Sequence, residues 1–238
     1  MSGAELSFDF PDGGHALFTT RAQGNLSSVG GARAEHGLEA RERLREQLGV
    51  RRLARVYQVH GTTVQRVRGY RGGDAGTETD TETQPEIEAD GQATALRGVG
   101  AMVLTADCLP IALGCSGAVA IVHAGWRGVA AGVLEEGVWA VRELGDAGEM
   151  VAVIGPGAGA CCYEVGEEVH AAFGEAHRAQ SPHTRNVDLK AIARDKLLAV
   201  GVAEVQDLAM CTICDERFFS YRREGARAGR QGGVAWLS

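Results

Sequence analysis

AMVLTADCLPIALGCSGAVAIVHAGWRG, residues 101–128, is the stretch that decides the fold class. Three short apolar runs, AMVLT, IALGC and AVAIV, are separated by turn signals, and the chain then enters HAGWRG. VAAGVLEEGVWAVRELG (129–145) follows with helical spacing of its apolar residues and Gly145 as a C-terminal stop. The order is strand, turn, strand, helix. Further on, MVAVI (150–154) reads as another strand, running into the turn Gly155-Pro156-Gly157-Ala158-Gly159. Asp188 is placed to cap a helix through Leu189, Ile192, Leu197 and Val200, ended by Gly201.

Upstream, HGLEARERLREQLG (36–49) sets Leu38, Leu44 and Leu48 near one face of an amphipathic helix. RVYQV (55–59) and TVQRV (63–67) are β-branched runs flanking His60-Gly61-Thr62, which predicts two strands meeting at a turn that carries His60. Residues 68–88 hold six acids, four glycines and no apolar period, the composition of a solvated, mobile loop. Because candidate ligands lie on both sides of that loop, it is read as an insertion within one domain spanning 1–238. Strands and helices alternate throughout, so the class is α/β.

Bulk composition narrows the function. Hydrophobic content of 45% and charged content of 23% describe a soluble globular chain. A net charge of −7 repels nucleic acid and anionic membranes, so an anionic substrate needs a local arginine cluster. No run reaches the roughly 18 apolar residues of a membrane span, and MSGAELSFDF lacks the features of a secretory signal, so the cytoplasm is expected, and a compact single domain is expected to act as a monomer. The six cysteines then fit reduced thiols or metal ligation better than a disulfide framework.

His60, Cys108 and His123 each end a short apolar run. Singly, each reads more readily as a buried thiol or a satisfied histidine. Together, two imidazoles and a thiolate make a zinc-type set with a fourth position left open for chemistry. Asp107 neighbours Cys108, and a turn there would bring both to the site, with Asp107 moving protons or orienting a ligand. Trp126 is either a stacking platform or core packing, and Arg127 either grips phosphate or carboxylate or bridges to Asp107. Cys211 and Cys214 form a lone C-x-x-C. The vicinal Cys161 and Cys162 could join them, but nothing in the spacing requires it.

QVHG (58–61), TADCLPI (105–111), HAGWRG (123–128), IGP (154–156) followed by CYEVGEEV (162–169), and CT (211–212) followed by FFSYRR (218–223) and GR (229–230) resemble, in order, the YfiH/laccase-domain family. The resemblance implies a single α/β domain with mixed β-sheets layered between helices. It implies zinc on His60, Cys108 and His123, phosphorolysis of adenosine, inosine and S-methyl-5′-thioadenosine, and adenosine deamination. Arg21, in the F-T-x-R segment, and Arg222 and Arg223 correspond to substrate contacts, and Arg127 joins them as a candidate phosphate ligand. The sequence departs from the family pattern at AQGNLSS (22–28) and at GAGACC (157–162), both on the expected pocket rim.

Two rival readings use the same residues. A copper polyphenol oxidase would need several imidazole-rich centres, and the seven histidines include no H-x-H pair. A thiol hydrolase acting on peptidoglycan precursors would use Cys108 as nucleophile and His123 or His60 as base.

Overall fold

The computed structural model describes residues 6–69, 87–174 and 185–238. The expected acidic loop falls almost wholly on residues 70–86, outside the described residues. Two mixed sheets carry the architecture. The first has the order β1 (Ser7–Asp9), β2 (Gly14–Phe18), β11 (Gln231–Leu237), β6 (Val99–Thr105) and β3 (Arg52–Ala54). It is antiparallel except where β3 runs parallel to β6. The second has the order β10 (Glu204–Asp207), β9 (Val151–Ile154), β7 (Leu109–Cys115), β8 (Ala118–Ala124), β5 (Gly91–Thr94) and β4 (Val64–Val67). Its outer pairs are parallel and its centre antiparallel.

The sheets pack face to face, and period-two alternation decides what lies between them. Val119 and Ile121 of β8 point into the inter-sheet layer with Phe18, Val103 and Val153, whereas Ala120 and Val122 point the other way. Each large side chain so buried contributes about 1.5–3 kcal/mol. Helix α1 (Gly37–Leu48) covers the outer face of the first sheet through Ala40 and Leu44. Helices α3 (Val133–Leu144) and α5 (Leu189–Ala199) cover the outer face of the second through Leu134, Val138, Val141, Ile192 and Leu197. The result is four layers, helix, sheet, sheet, helix. Asp188 caps α5 as expected, its carboxylate accepting from the Ala191 N–H at 3.0 Å.

Two local expectations are corrected. RVYQV does not form a strand: Tyr57 makes a single bridge to Glu88, and the strand lies earlier, at Arg52–Ala54. The reason is that side chains take the backbone partners in this stretch. Gln58 exchanges hydrogen bonds with both backbone groups of Leu104, and the N–H groups of Val59, His60 and Gly61 all donate to the Asp90 carboxylate. The turn expected at Asp107 and Cys108 forms as Ala106-Asp107-Cys108, just before β7, in which Pro110 pairs opposite His123. The single helix expected over 129–145 is divided at Gly132, where φ is 107°, into α2 (Trp126–Ala131) and α3. Helices α4 (Glu167–Phe173) and α6 (Tyr221–Glu224) complete the set.

Candidate metal centre and cavity

The antiparallel pairing of β7 with β8 puts Leu109 opposite Ala124, so the turn before β7 and the end of β8 meet. Cys108 is the last residue of that turn, and His123 is the penultimate residue of β8. On the other side of β8, the pairing of Val122 with Gly91 brings up the residue before β5, Asp90, and the pairing of Gly91 with Val64 brings up the loop before β4. His60 is in that loop. Three separate chain segments therefore bring one candidate ligand each to the same end of the second sheet.

The ligand atoms of His60, Cys108 and His123 all lie within 4.8 Å of one another, and Cys108 Sγ is 3.8 Å from His60 Nε2. Ligands held about 2.0–2.3 Å from a tetrahedral ion stand about 3.3–3.8 Å apart, so the set fits a single zinc-sized ion with little movement. The two imidazoles meet edge to face at 78°, which lets both nitrogens point to a common centre. His123 is buried, Cys108 half-buried and His60 exposed, so the open corner of the set faces outward. Gly125 completes the cradle. A Cβ at that position would sit 2.9 Å from His60 Cδ2 and 3.2 Å from Cys108 Sγ, closer than side chains tolerate.

Asp90 is the functional residue that sequence reasoning missed. Its carboxylate is fully buried and lies 2.7 Å from His123 Nδ1, leaving Nε2 for a metal. The same carboxylate accepts the His60 N–H at 2.9 Å. These bonds hold His60 in a left-handed conformation, φ 60°, which costs a non-glycine residue on the order of 1–3 kcal/mol. Burial would raise the Asp90 carboxyl, but His123 and the N–H groups of Gly61 and His60 outweigh it and hold it below the ordinary carboxylate range. For Cys108 burial again opposes the charged form, yet His123 and His60 bring the thiol down to about 6. His123 rises to about 9: burial disfavours its cation, and Cys108 and Asp90 more than compensate. Both shifts favour a thiolate on Cys108 facing an imidazolium on His123.

In front of this set lies a cavity of about 670 Å³, large enough for a drug-sized molecule. Trp126, Arg127, Tyr163, Arg222 and the exposed Tyr57 and Tyr221 line it. Arg127 stacks on the Trp126 ring at 4.2 Å and makes no ion pair with Asp107. Arg222 lies over Tyr163 at 5.1 Å and donates to the Glu164 carbonyl at 2.7 Å.

The sequence model of the family described as multi-copper polyphenol oxidoreductase laccase matches residues 14–238. The chain belongs to this family. Among its laccase-domain relatives, a purine nucleoside phosphorylase of Xylella fastidiosa is 37% identical over 242 residues, covering 96% of this chain and 89% of the relative. The purine nucleoside phosphorylase PA4543 of Pseudomonas aeruginosa is 39% identical over 211 residues, covering 84% and 79%. The crystal structure of the Neisseria meningitidis protein NMB0706 superposes with a TM-score of 0.81 at 32% identity, covering 98% of both chains. The laccase-domain fold with its two mixed sheets is thereby confirmed.

Not every expected substrate contact reaches the laccase-domain cavity. Arg21 does not line it: its guanidinium pairs with Glu224, donates to the Phe218 carbonyl at 2.9 Å and covers the Phe219 ring. Arg223 is also turned away, donating to the carbonyls of Thr212 and Ile213 at 2.8 Å each. Both arginines are spent bracing the segment that carries α6. Asp107 borders the cavity, but its carboxylate accepts from Thr212 Oγ1 at 2.7 Å, Ser220 Oγ at 3.1 Å and the Arg222 N–H at 2.8 Å.

Proposed function

We propose that the protein is a zinc-dependent purine nucleoside phosphorylase acting on adenosine, inosine and S-methyl-5′-thioadenosine, with adenosine deamination as a second activity. The observation that carries this reading is the convergence of His60, Cys108 and His123 on a cavity that also presents Arg127, Arg222 and Trp126. The names of the Xylella and Pseudomonas relatives support it. His60, Cys108 and His123 would hold the metal, which when bound supplies Lewis-acid polarisation and lowers the pKa of water.

The protein's own groups account for the rest. Phosphorolysis needs a phosphate held beneath C1′ while positive charge develops on the ribose, a positioning task suited to Arg127 and Arg222. Trp126, Tyr57 and Tyr221 offer flat faces to a purine. Asp107, with three donors already on its carboxylate, positions Cys108 and α6 in this reading and does not shuttle protons. The mixed imidazole and thiolate set favours zinc over copper as the resident ion. The substrates are free nucleosides and inorganic phosphate, and the working state is a cytoplasmic monomer. Among the described residues no helix is long and apolar enough to cross a membrane.

Incubating the zinc-loaded protein with adenosine and phosphate should yield adenine and ribose 1-phosphate. Unchanged nucleoside at full zinc occupancy rejects the reading. One observation favours a second reading, a thiol hydrolase: Cys108 is lowered to about 6 by its two histidines. The two readings part under a chelator, which should abolish phosphorolysis and leave thiol hydrolysis of a peptidoglycan precursor intact.

A further inference from the structure

Strands β9 and β10 are parallel neighbours, so the chain leaves both at the same end of the second sheet. The loop after β9 carries Cys161 and Cys162, and the loop after β10 carries Cys211 and Cys214. Backbone bonds lock the two loops together: Thr212 N–H donates to the Gly157 carbonyl at 3.0 Å, and Gly157 N–H donates to the Met210 carbonyl at 3.3 Å. The consequence is a cluster in which all four Sγ atoms lie within 4.8 Å of one another.

The spacing of the sulfurs is what points to a ligand. Four thiolates about 2.3 Å from one ion at tetrahedral corners lie about 3.8 Å apart. Cys161 Sγ and Cys214 Sγ are 3.9 Å apart. A disulfide would need about 2.05 Å, and it would join only two of the four. The surroundings are also those of metal thiolates. Gly159 N–H donates to Cys211 Sγ at 3.3 Å, the kind of outer bond that orients a ligand. A Cβ on Gly159 would lie 3.0 Å from Cys211 Cβ and 3.4 Å from the sulfurs of Cys161 and Cys211, so the backbone is pressed against the cluster at a residue with no side chain. Cys211 and Cys214, with two residues between them and closed by the Asp215 N–H on the Cys211 carbonyl at 3.1 Å, make a compact knuckle.

We propose that Cys161, Cys162, Cys211 and Cys214 hold a second zinc ion, structural in role and separate from the centre at His60, Cys108 and His123. Four protein ligands leave no open position, which is the signature of a structural site. Its task follows from what the knuckle carries. Thr212, inside it, holds Asp107 at 2.7 Å, and Asp107 precedes Cys108, so the ion fixes the loop that positions the thiolate of the first centre.

The test uses the full chain purified without added metal or chelator. The His60→Ala/Cys108→Ala variant dismantles the first centre and should retain one zinc per chain by elemental mass spectrometry. Adding Cys211→Ser and Cys214→Ser should remove that zinc. Should the cysteine variants fail to fold, the His60→Ala/Cys108→Ala protein reconstituted with cobalt(II) should show the intense sulfur-to-cobalt charge-transfer and tetrahedral d–d bands of a four-thiolate site. A metal-free His60→Ala/Cys108→Ala protein that binds no cobalt in this way overturns the proposal. So does an intact mass lowered by two hydrogens, which means a disulfide, or iron in place of zinc. Loss of phosphorolysis in the first variant bears only on the catalytic reading, so failures of the two are distinguishable.

Discussion

One oxygen of the Asp90 carboxylate lies 2.7 Å from His123 Nδ1, and Asp90 is wholly buried. This contact leaves Nε2 as the imidazole nitrogen that would face a metal, and the same side chain shapes the His60 turn through three backbone N–H groups. Asp90→Asn removes the negative charge and one strong acceptor while keeping the shape. Metal affinity at the His60, Cys108 and His123 centre should fall about 10- to 100-fold, the usual cost of losing such a partner. Competition with a chromophoric chelator measures it. Unchanged affinity would show that the carboxylate serves only the fold.

Cys108 should be a reactive thiol in the metal-free protein at neutral pH. Burial raises a thiol, but His123 and His60 bring this one to about 6, so the thiolate fraction, and with it the rate of alkylation, should climb through pH 6 and level off by pH 7. Cys115, whose burial pushes its thiol up, should stay unmodified over the same range. Site-resolved mass spectrometry after iodoacetamide treatment reads both. Zinc should protect Cys108, and a Cys108 profile still rising at pH 8 would contradict the ion-pair description.

Gly125→Ala tests the cradle. The added methyl would enter within 2.9 Å of His60 Cδ2 and 3.2 Å of Cys108 Sγ, so one ligand must withdraw. Zinc occupancy of that centre should drop by at least about tenfold, in line with the sensitivity of metal sites to ligand placement. The circular dichroism spectrum should stay native, because the residue lies at an N-cap with ordinary extended geometry.

Much of this architecture was legible in residues 101–128, where apolar runs, turns and a helix start fix two central strands, and the candidate ligands Cys108 and His123 follow from their ends. What stayed hidden was hidden for physical reasons. Asp90 follows a stretch rich in acids and looks like one more solvent-facing carboxylate. Its strand, Gly91-Gln92-Ala93-Thr94, has no β-branched or alternating signature until Thr94, and its burial comes from neighbours on both sides. The four-thiol cluster joins cysteines some 50 residues apart through a parallel pairing that linear spacing does not record. The arginines divided for a similar reason. Arg222 and Arg223 are adjacent, but Arg222 faces the cavity and Arg223 faces the knuckle, a distinction set by the one short turn of α6.

That division gives a last prediction, in which neighbouring arginines fail in different ways. Arg222→Ala and Arg127→Ala remove charge from the cavity and should raise KM for phosphate, or lower kcat/KM, by at least about tenfold, because a charge-assisted contact to an anion contributes roughly 1.5–3 kcal/mol. Arg223→Ala instead strips the donor from the carbonyls of Thr212 and Ile213 and leaves them to find water, while Phe218 keeps its bond from Arg21. Arg21→Ala removes one of the two guanidinium donors on the Phe218 carbonyl and one of the two arginines paired with Glu224. These two should lose about 1–3 kcal/mol of stability in urea titrations with the phosphate KM little changed at 25 °C. The KM profile separates the two classes: an Arg21 variant of native stability with a large rise in phosphate KM would return that residue to the substrate and show that the cavity closes around it during turnover.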